Sequence, residues 1–98
     1  MYEEEKKVYR ERQMLRYKLI KEIYDVYFST NGSGKKVTME QLTSEENLAY
    51  KYLCDLGFID CEQIIDMEGS DRKYTITAHG INFIEEGKGR RKGDFQKA

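Results

Sequence analysis

The sequence contains no proline and no tryptophan, one histidine and two cysteines in 98 residues. One histidine and no Cys-x-x-Cys pair give poor support to a zinc site or a nucleophilic triad, so we expect no enzyme, no metal and no cofactor. No apolar run approaches the ~20 residues of a membrane-spanning helix. The N-terminus also lacks the apolar stretch of a secretory signal, and we therefore expect a cytoplasmic protein with free thiols.

Charged residues make up 36 % of the chain but nearly cancel, leaving a net charge of −1. This balance gives no general sign of nucleic-acid binding, which a strongly basic chain would give. The C-terminal segment GKGRRKGDFQKA is the exception, with five basic residues against one acidic residue. It is either an arm that reaches phosphates or a solubilising end without contacts.

Periodic apolar residues predict a long first helix over residues 4–28, a stretch without glycine. Arg12 and Arg16 interrupt the apolar face of this helix. We therefore expect its packed part to begin near Leu15, and residues 1–14 to form an N-terminal helical extension. The apolar face carries six residues at helical spacing: Leu15, Leu19, Ile20, Ile23, Val26 and Tyr27.

Two capping boxes predict two further helices joined by a short connection. Thr38 and Thr43 are each followed, three residues later, by the Gln or Glu that completes such a box. The first box opens a short helix, and the second opens a helix over residues 44–56 that Gly57 ends. Two helices so closely joined indicate a helix-turn-helix.

The helix over residues 44–56 has a predicted buried face of five residues: Leu48, Ala49, Tyr52, Leu53 and Leu56. The residues between them are expected to point outward: Asn47, Tyr50, Lys51 and Cys54.

Two apolar stretches, residues 58–67 and 73–77, predict an antiparallel hairpin whose turn is the EGSDRK segment. Thr77 then caps a last helix over residues 78–86, which Gly87 ends. A two-stranded hairpin cannot bury its apolar face alone, so it must pack on the helices. The sequence therefore predicts an α+β fold.

The predicted domain covers residues 15–87, and the hairpin tip lies at residues 67–73. Residues 1–14 precede it as the helical extension, and residues 88–98 follow it as a basic flexible tail.

The segments YLCDLGFID and RKYTITAHGINFIEEG resemble the recognition-helix exit, wing and last helix of small bacterial or phage winged helix-turn-helix proteins. PadR-like and related groups show a similar "L…G-(I/F)-I" run followed by "Y-x-(I/L)-T-x-x-G". The resemblance covers about residues 36–86. It implies a winged helix with a three-helix core, a two-stranded antiparallel wing and a C-terminal helix. It also implies double-stranded DNA binding as a homodimer, since many relatives bind DNA in that state.

In such folds the second helix of the helix-turn-helix enters the major groove, and the wing contacts phosphates. The DNA-binding candidates are accordingly Ser44, Asn47, Tyr50, Lys51, Arg72 and Lys73. Glu45 and Glu46 stabilise the helix N-terminus but would repel phosphates. Tyr50 could stack on DNA or lie in a protein interface.

A second apolar strip on the first helix suggests a homodimer seam formed by Tyr17, Tyr24 and Phe28, or a cover for the short helix and loop. His79 is expected to be a surface residue. The leading hypothesis is a winged-helix transcription regulator that binds DNA. The alternative is a winged-helix protein–protein interaction module without DNA binding.

Overall fold

Three helices and three strands follow one another in the part of the chain that the computed structural model describes, residues 2–66 and 69–90. A single 3-10 turn, Met39–Gln41, lies after the first strand. The elements in chain order are α1 (Tyr2–Ser29), β1 (Lys35–Thr38), α2 (Ser44–Asp55), β2 (Ile59–Asp66), β3 (Gly69–Ile76) and α3 (Ala78–Arg90). The α+β class predicted from the sequence is confirmed.

Helix α1 confirms the predicted long first helix and extends it slightly at both ends. It ends where Asn31 (φ 61°) and Gly32 (φ 101°) adopt left-handed backbone conformations. There the amide of Gly32 donates to the carbonyl of Tyr27 at 2.7 Å, which satisfies one of the last helical acceptors. Residues 4–14 are all exposed, so this part of α1 stands away from the core.

In the described residues the sheet has three strands in the order β1-β3-β2, all antiparallel. The predicted antiparallel hairpin is present as β2 and β3, but the expectation of a two-stranded sheet is wrong because β1 adds a third strand. Strand β1 pairs with the far side of β3, with Lys35 opposite Tyr74 and Val37 opposite Arg72. The predicted short helix is reduced to the 3-10 turn, and the Thr38 side chain makes no capping hydrogen bond. Pairing with β3 satisfies the backbone groups of this segment instead.

The hairpin of β2 and β3 is longer than predicted. Gly69 pairs with Asp66, and pairing continues until Ile76 lies opposite Ile59. Residues 69–73, assigned to the turn and the tip from their composition, are therefore part of β3. The rest of the predicted tip, residues 67 and 68, lies outside the described residues.

The predicted ends of α2 are confirmed. Thr43 Oγ1 accepts from the amide of Glu46 at 3.1 Å, and the Glu46 carboxylate accepts from the amide of Thr43 at 3.0 Å. After the helix, Gly57 adopts φ 80° and the amide of Phe58 donates to the carbonyl of Leu53 at 3.1 Å. This is the hydrogen bonding expected of a glycine-terminated helix.

Helix α3 begins as predicted, because Thr77 Oγ1 accepts from the amide of Gly80 at 3.0 Å. It does not end at Gly87 but continues to Arg90. A glycine weakens a helix without having to break it. The predicted basic tail lies mostly on residues 91–98, outside the described residues.

The core lies between the sheet and the helices, and its centre is a pair of stacked tyrosines. The rings of Tyr50 and Tyr74 are 4.2 Å apart and inclined by only 7°. Tyr50 is 2 % exposed, so the prediction that it points outward is wrong. The buried apolar residues are Leu19, Ile20, Ile23, Val37, Ala49, Tyr50, Leu53, Ile59, Tyr74, Ile76 and Ile84.

The buried tyrosine makes stability sensitive to alkaline pH. Burial raises the pKa of Tyr50 to about 12 from its ordinary value of 10.0, with a smaller contribution from Glu22. Because the unfolded chain ionises first, this contribution to stability is complete below pH 10.0 and is lost as the pH rises through about 12. Between about pH 8 and about pH 12, the unfolding free energy measured by urea denaturation should fall less in Tyr50→Phe than in the wild type. Tyr9→Phe removes an exposed phenol and is the control, which should behave like the wild type. An equal fall of the unfolding free energy in all three proteins would contradict the assignment of this pH dependence to Tyr50.

Candidate functional site

The outward side of α2 carries a row of exposed apolar side chains, which we call the apolar stripe: Leu48, Tyr52 and Leu56. They follow one another at intervals of four residues, and their exposed fractions are 61 %, 42 % and 44 %. The prediction that all three belong to the buried face of this helix is wrong. The buried side of α2 is formed by Ala49, Tyr50 and Leu53, which turns the stripe towards solvent.

A groove between α1 and α2, the α1–α2 groove, adjoins the apolar stripe. It consists of two neighbouring depressions of about 230 and 350 Å³ whose apolar lining residues are Val8, Leu15, Leu48 and Ala49. Two contacts between the helices cross it. Arg12 Nε lies 3.8 Å from the Glu45 carboxylate, and the Arg16 guanidinium carbon lies 3.9 Å from the centre of the Tyr52 ring.

The net charge of α2 is negative. The helix contains three carboxylates and one lysine in twelve residues. Lys51 Nζ lies 3.7 Å from the carboxylate of Asp55, one turn further along, and both side chains are exposed. The Glu46 carboxylate is held by the capping box, while Glu45 is exposed beside the groove.

Three of the proposed DNA-binding residues, Ser44, Asn47 and Lys51, are exposed on α2. Arg72 extends to this helix from β3, and its Nη1 donates to Asn47 Oδ1 at 3.4 Å and to the Tyr74 hydroxyl at 3.3 Å. Tyr50 does not belong to this surface because it is buried under Tyr74.

Arg72 and Lys73, both predicted to contact DNA, do not lie on the same face of the sheet. They are consecutive residues of a strand, so their side chains leave opposite faces of the sheet. Arg72 faces α2, whereas Lys73 lies on the other face, between Lys36 on β1 and Glu62 on β2.

The proposed dimer seam is partly used within the chain itself. Tyr17 and Tyr24 are half-buried against the core. The Tyr24 hydroxyl donates to the carboxylate of Glu85 on α3 at 2.9 Å. Phe28 remains mostly exposed, with its ring 4.9 Å from that of Tyr24.

The single histidine and the two cysteines were considered in the sequence as catalytic or metal-binding candidates. His79 is exposed, and its ring lies 4.8 Å from the ring of Phe58. Burial raises the pKa of the Cys54 thiol, which disfavours the reactive thiolate. Within residues 2–66 and 69–90, no group of three His, Cys, Asp or Glu side chains could hold a metal ion. None of the helices in this part of the chain has the length and apolar character needed to cross a bilayer.

The apolar stripe was not predicted, although the sequence contains a signal for it. Six of the thirteen residues from Ser44 to Leu56 are Leu, Ala or Tyr. This is more apolar residues than one side of such a helix can bury. Some of them therefore had to face away from the core. Comparisons of the chain with protein-family models, with curated proteins and with solved structures give no significant match.

Proposed function

We propose that this chain is a winged-helix module that binds another protein through the outward side of α2. The order of the elements and the sheet order β1-β3-β2 support the winged-helix assignment, with β2 and β3 as the wing. The apolar stripe is the observation that carries the proposed activity.

Exposed apolar side chains in a contiguous row are typical of interaction surfaces. Removing apolar surface from water contributes ~25 cal/mol per Å² to association. Leu48 and Tyr52 have more than two fifths of their surface available for this. Tyrosine is also one of the residue types enriched in the centres of protein interfaces.

The charges of α2 support a protein partner over DNA. Phosphate contacts by Lys and Arg supply most of the non-specific affinity for DNA. Here Lys51 is paired with Asp55, and Arg72 donates to Asn47. Glu45 and Glu46 place two carboxylates in the first turn of α2, the end that would approach the major groove of DNA, and Glu45 is exposed there with Arg12 Nε 3.8 Å away.

Fluorescence anisotropy with random duplex DNA across a salt series tests this proposal. We expect no binding at low salt, and therefore no difference between the wild type and the double variant Lys51→Ala, Arg72→Ala. Binding that weakens steeply with salt, and that the double variant loses, would overturn the proposal in favour of DNA recognition.

A further inference from the structure

We infer that the outer edge of β2 is a second binding surface, which pairs with an extended segment of a partner protein in which basic and apolar residues alternate. The inference goes beyond the proposed function, because it concerns the sheet and not α2. Its supports are the backbone groups along this edge, the exposure of the strand and the different charges of its two faces.

Strand β2 forms one edge of the sheet in the described residues, because β3 pairs with it on one side only. The amide of Thr77 donates to the carbonyl of Phe58 at 3.0 Å, so these two residues form a hydrogen-bonded pair. Hydrogen-bonded and non-hydrogen-bonded pairs alternate along an antiparallel ladder. In the register of β2 and β3, the even-numbered residues of β2 therefore direct their backbone groups towards β3. The odd-numbered residues direct theirs away from the sheet.

Three odd-numbered residues of β2 are exposed: Cys61, Gln63 and Ile65. Their outward N–H and C=O groups are open to a further strand, since no strand in the described ranges lies beyond β2. Ile65 is 75 % exposed, more than any other large apolar side chain described for this chain. Such an edge is a template for an added strand, which gains affinity from main-chain hydrogen bonds.

One face of this edge is negatively charged. Asp60 and Glu62 are exposed there, and neither forms an ion pair with another described residue. Their neighbours on β3 are Thr75 and Lys73. A cation on an added strand would lie about 5 Å from the carboxylate opposite it and about 10 Å from Lys73, two strands away. Because salt screens the longer distance more strongly, the attraction exceeds the repulsion.

The other face of the edge is uncharged, since it consists of Cys61, Gln63 and Ile65. Arg72, opposite Gln63, donates to Asn47 on α2 and so turns away from the edge. Successive side chains of a strand leave opposite faces. A segment that alternates basic and apolar residues therefore matches both faces of β2 at once.

A second copy of β2 fits this edge poorly, because carboxylates would meet carboxylates. Antiparallel pairing about a twofold axis at Glu62 places this residue opposite itself. An axis at Cys61 places Asp60 opposite Glu62 twice. An axis at Gln63 places residue 60 opposite residue 66, and both are aspartates. Like charges directly opposite each other destabilise a strand pair, so the charges favour a partner of the opposite sign.

Amide hydrogen exchange, followed by nuclear magnetic resonance, tests the inference with a short peptide that alternates lysine and valine. In the free protein the amides of Glu62 and Ile64 should be protected by β3, while those of Cys61, Gln63 and Ile65 exchange rapidly. Saturating peptide should slow exchange of the three outward amides at least about tenfold, because a hydrogen-bonded amide exchanges only when the pairing opens.

Two N-methylated peptides separate strand pairing from charge attraction. The valines lie opposite the odd-numbered residues, so their amides face β2 and the lysine amides face away. Methylation of the valine amides should weaken binding at least about tenfold, as measured by fluorescence anisotropy, since several hydrogen bonds are lost. Methylation of the lysine amides keeps the same charge and should leave the affinity unchanged.

Variants of the protein test the same two terms. The double variant Asp60→Lys, Glu62→Lys should release the Lys–Val peptide and bind a Glu–Val peptide instead. Gln63→Pro removes one outward amide without removing a hydrogen bond to β3 and should weaken binding, whereas the matched variant Gln63→Thr should not. Circular dichroism verifies that each variant retains the fold.

Several outcomes would overturn the inference. They are absence of Lys–Val binding, equal binding of the two methylated peptides, retention of the Lys–Val peptide by the double variant, and outward amides that are already protected in the free protein. None of them bears on α2, whose proposed role is tested separately with duplex DNA.

Discussion

Tyr50→Ala is expected to reduce the unfolding free energy by roughly 3–5 kcal/mol, the usual loss for deleting a buried aromatic side chain. Tyr50 is 2 % exposed, and its ring covers that of Tyr74 at 4.2 Å. Alanine would remove the stacking partner and leave a cavity between α2 and β3. Urea denaturation followed by far-UV circular dichroism measures the change.

Tyr52→Ala, two residues further along the same helix, is the matched comparison. Its ring is 42 % exposed and has the Arg16 guanidinium over one face. A cation–π contact of this exposed kind is worth about 0.5–1 kcal/mol, so the expected loss stays near that value. A larger loss for Tyr52→Ala than for Tyr50→Ala would mean that α2 presents the opposite side to the core.

Gly80→Ala is expected to destabilise the protein by roughly 1–3 kcal/mol, the cost of forcing a methyl group into a packed site. A Cβ at this position would overlap the carbonyl oxygen of Phe58 and lie 2.8 Å from Ile76 Cγ1. The same oxygen accepts from the amide of Thr77 at 3.0 Å and also from its hydroxyl. Alanine would therefore separate the start of α3 from the start of β2.

Gly87→Ala is the control for helix propensity. It lies in the same helix, and a Cβ there meets nothing within 4 Å. Alanine in an exposed helical position should stabilise by about 0.5–1 kcal/mol, since it loses less chain freedom on folding than glycine. Thermal unfolding by calorimetry should thus shift in opposite directions for the two variants. A stabilised Gly80→Ala protein would contradict the close approach of α3 to Phe58.

Both ends of α2 were predictable because they depend on residues close together in sequence. The Thr43 box and the Gly57 termination of α2 need only the residues within one turn, and both appear as predicted. The length of α1 was predictable for the same reason, since it follows from composition and the absence of glycine.

The side that α2 buries was not predictable from local pattern, because six of the thirteen residues from Ser44 to Leu56 are Leu, Ala or Tyr and they do not lie on one side. Tyr50 is inside only because Tyr74, from a strand formed much later in the chain, provides a ring of matching orientation. Once Tyr50 turns inward, Leu48 and Tyr52 must turn outward. The error in the sequence analysis and the candidate binding surface therefore have one physical cause.

Strand β1 was missed for a related reason. Its four residues, Lys35–Thr38, contain a single buried apolar side chain, Val37. Strand propensity over so short a segment depends on the neighbouring strand more than on the segment itself. The polar start of β3 was taken for a turn on the same local evidence.

The central position of β3 affects the order in which the chain can fold. Strands β2 and β3 are joined by a short connection, so their pairing closes a small loop and costs little chain entropy. Pairing Lys35 with Tyr74 instead closes a loop that contains all of α2 and β2. The pairing of only four residues in the edge strand β1 offsets little of that entropy cost. We therefore expect β1 to pair with β3 after β2 and β3 have paired with each other.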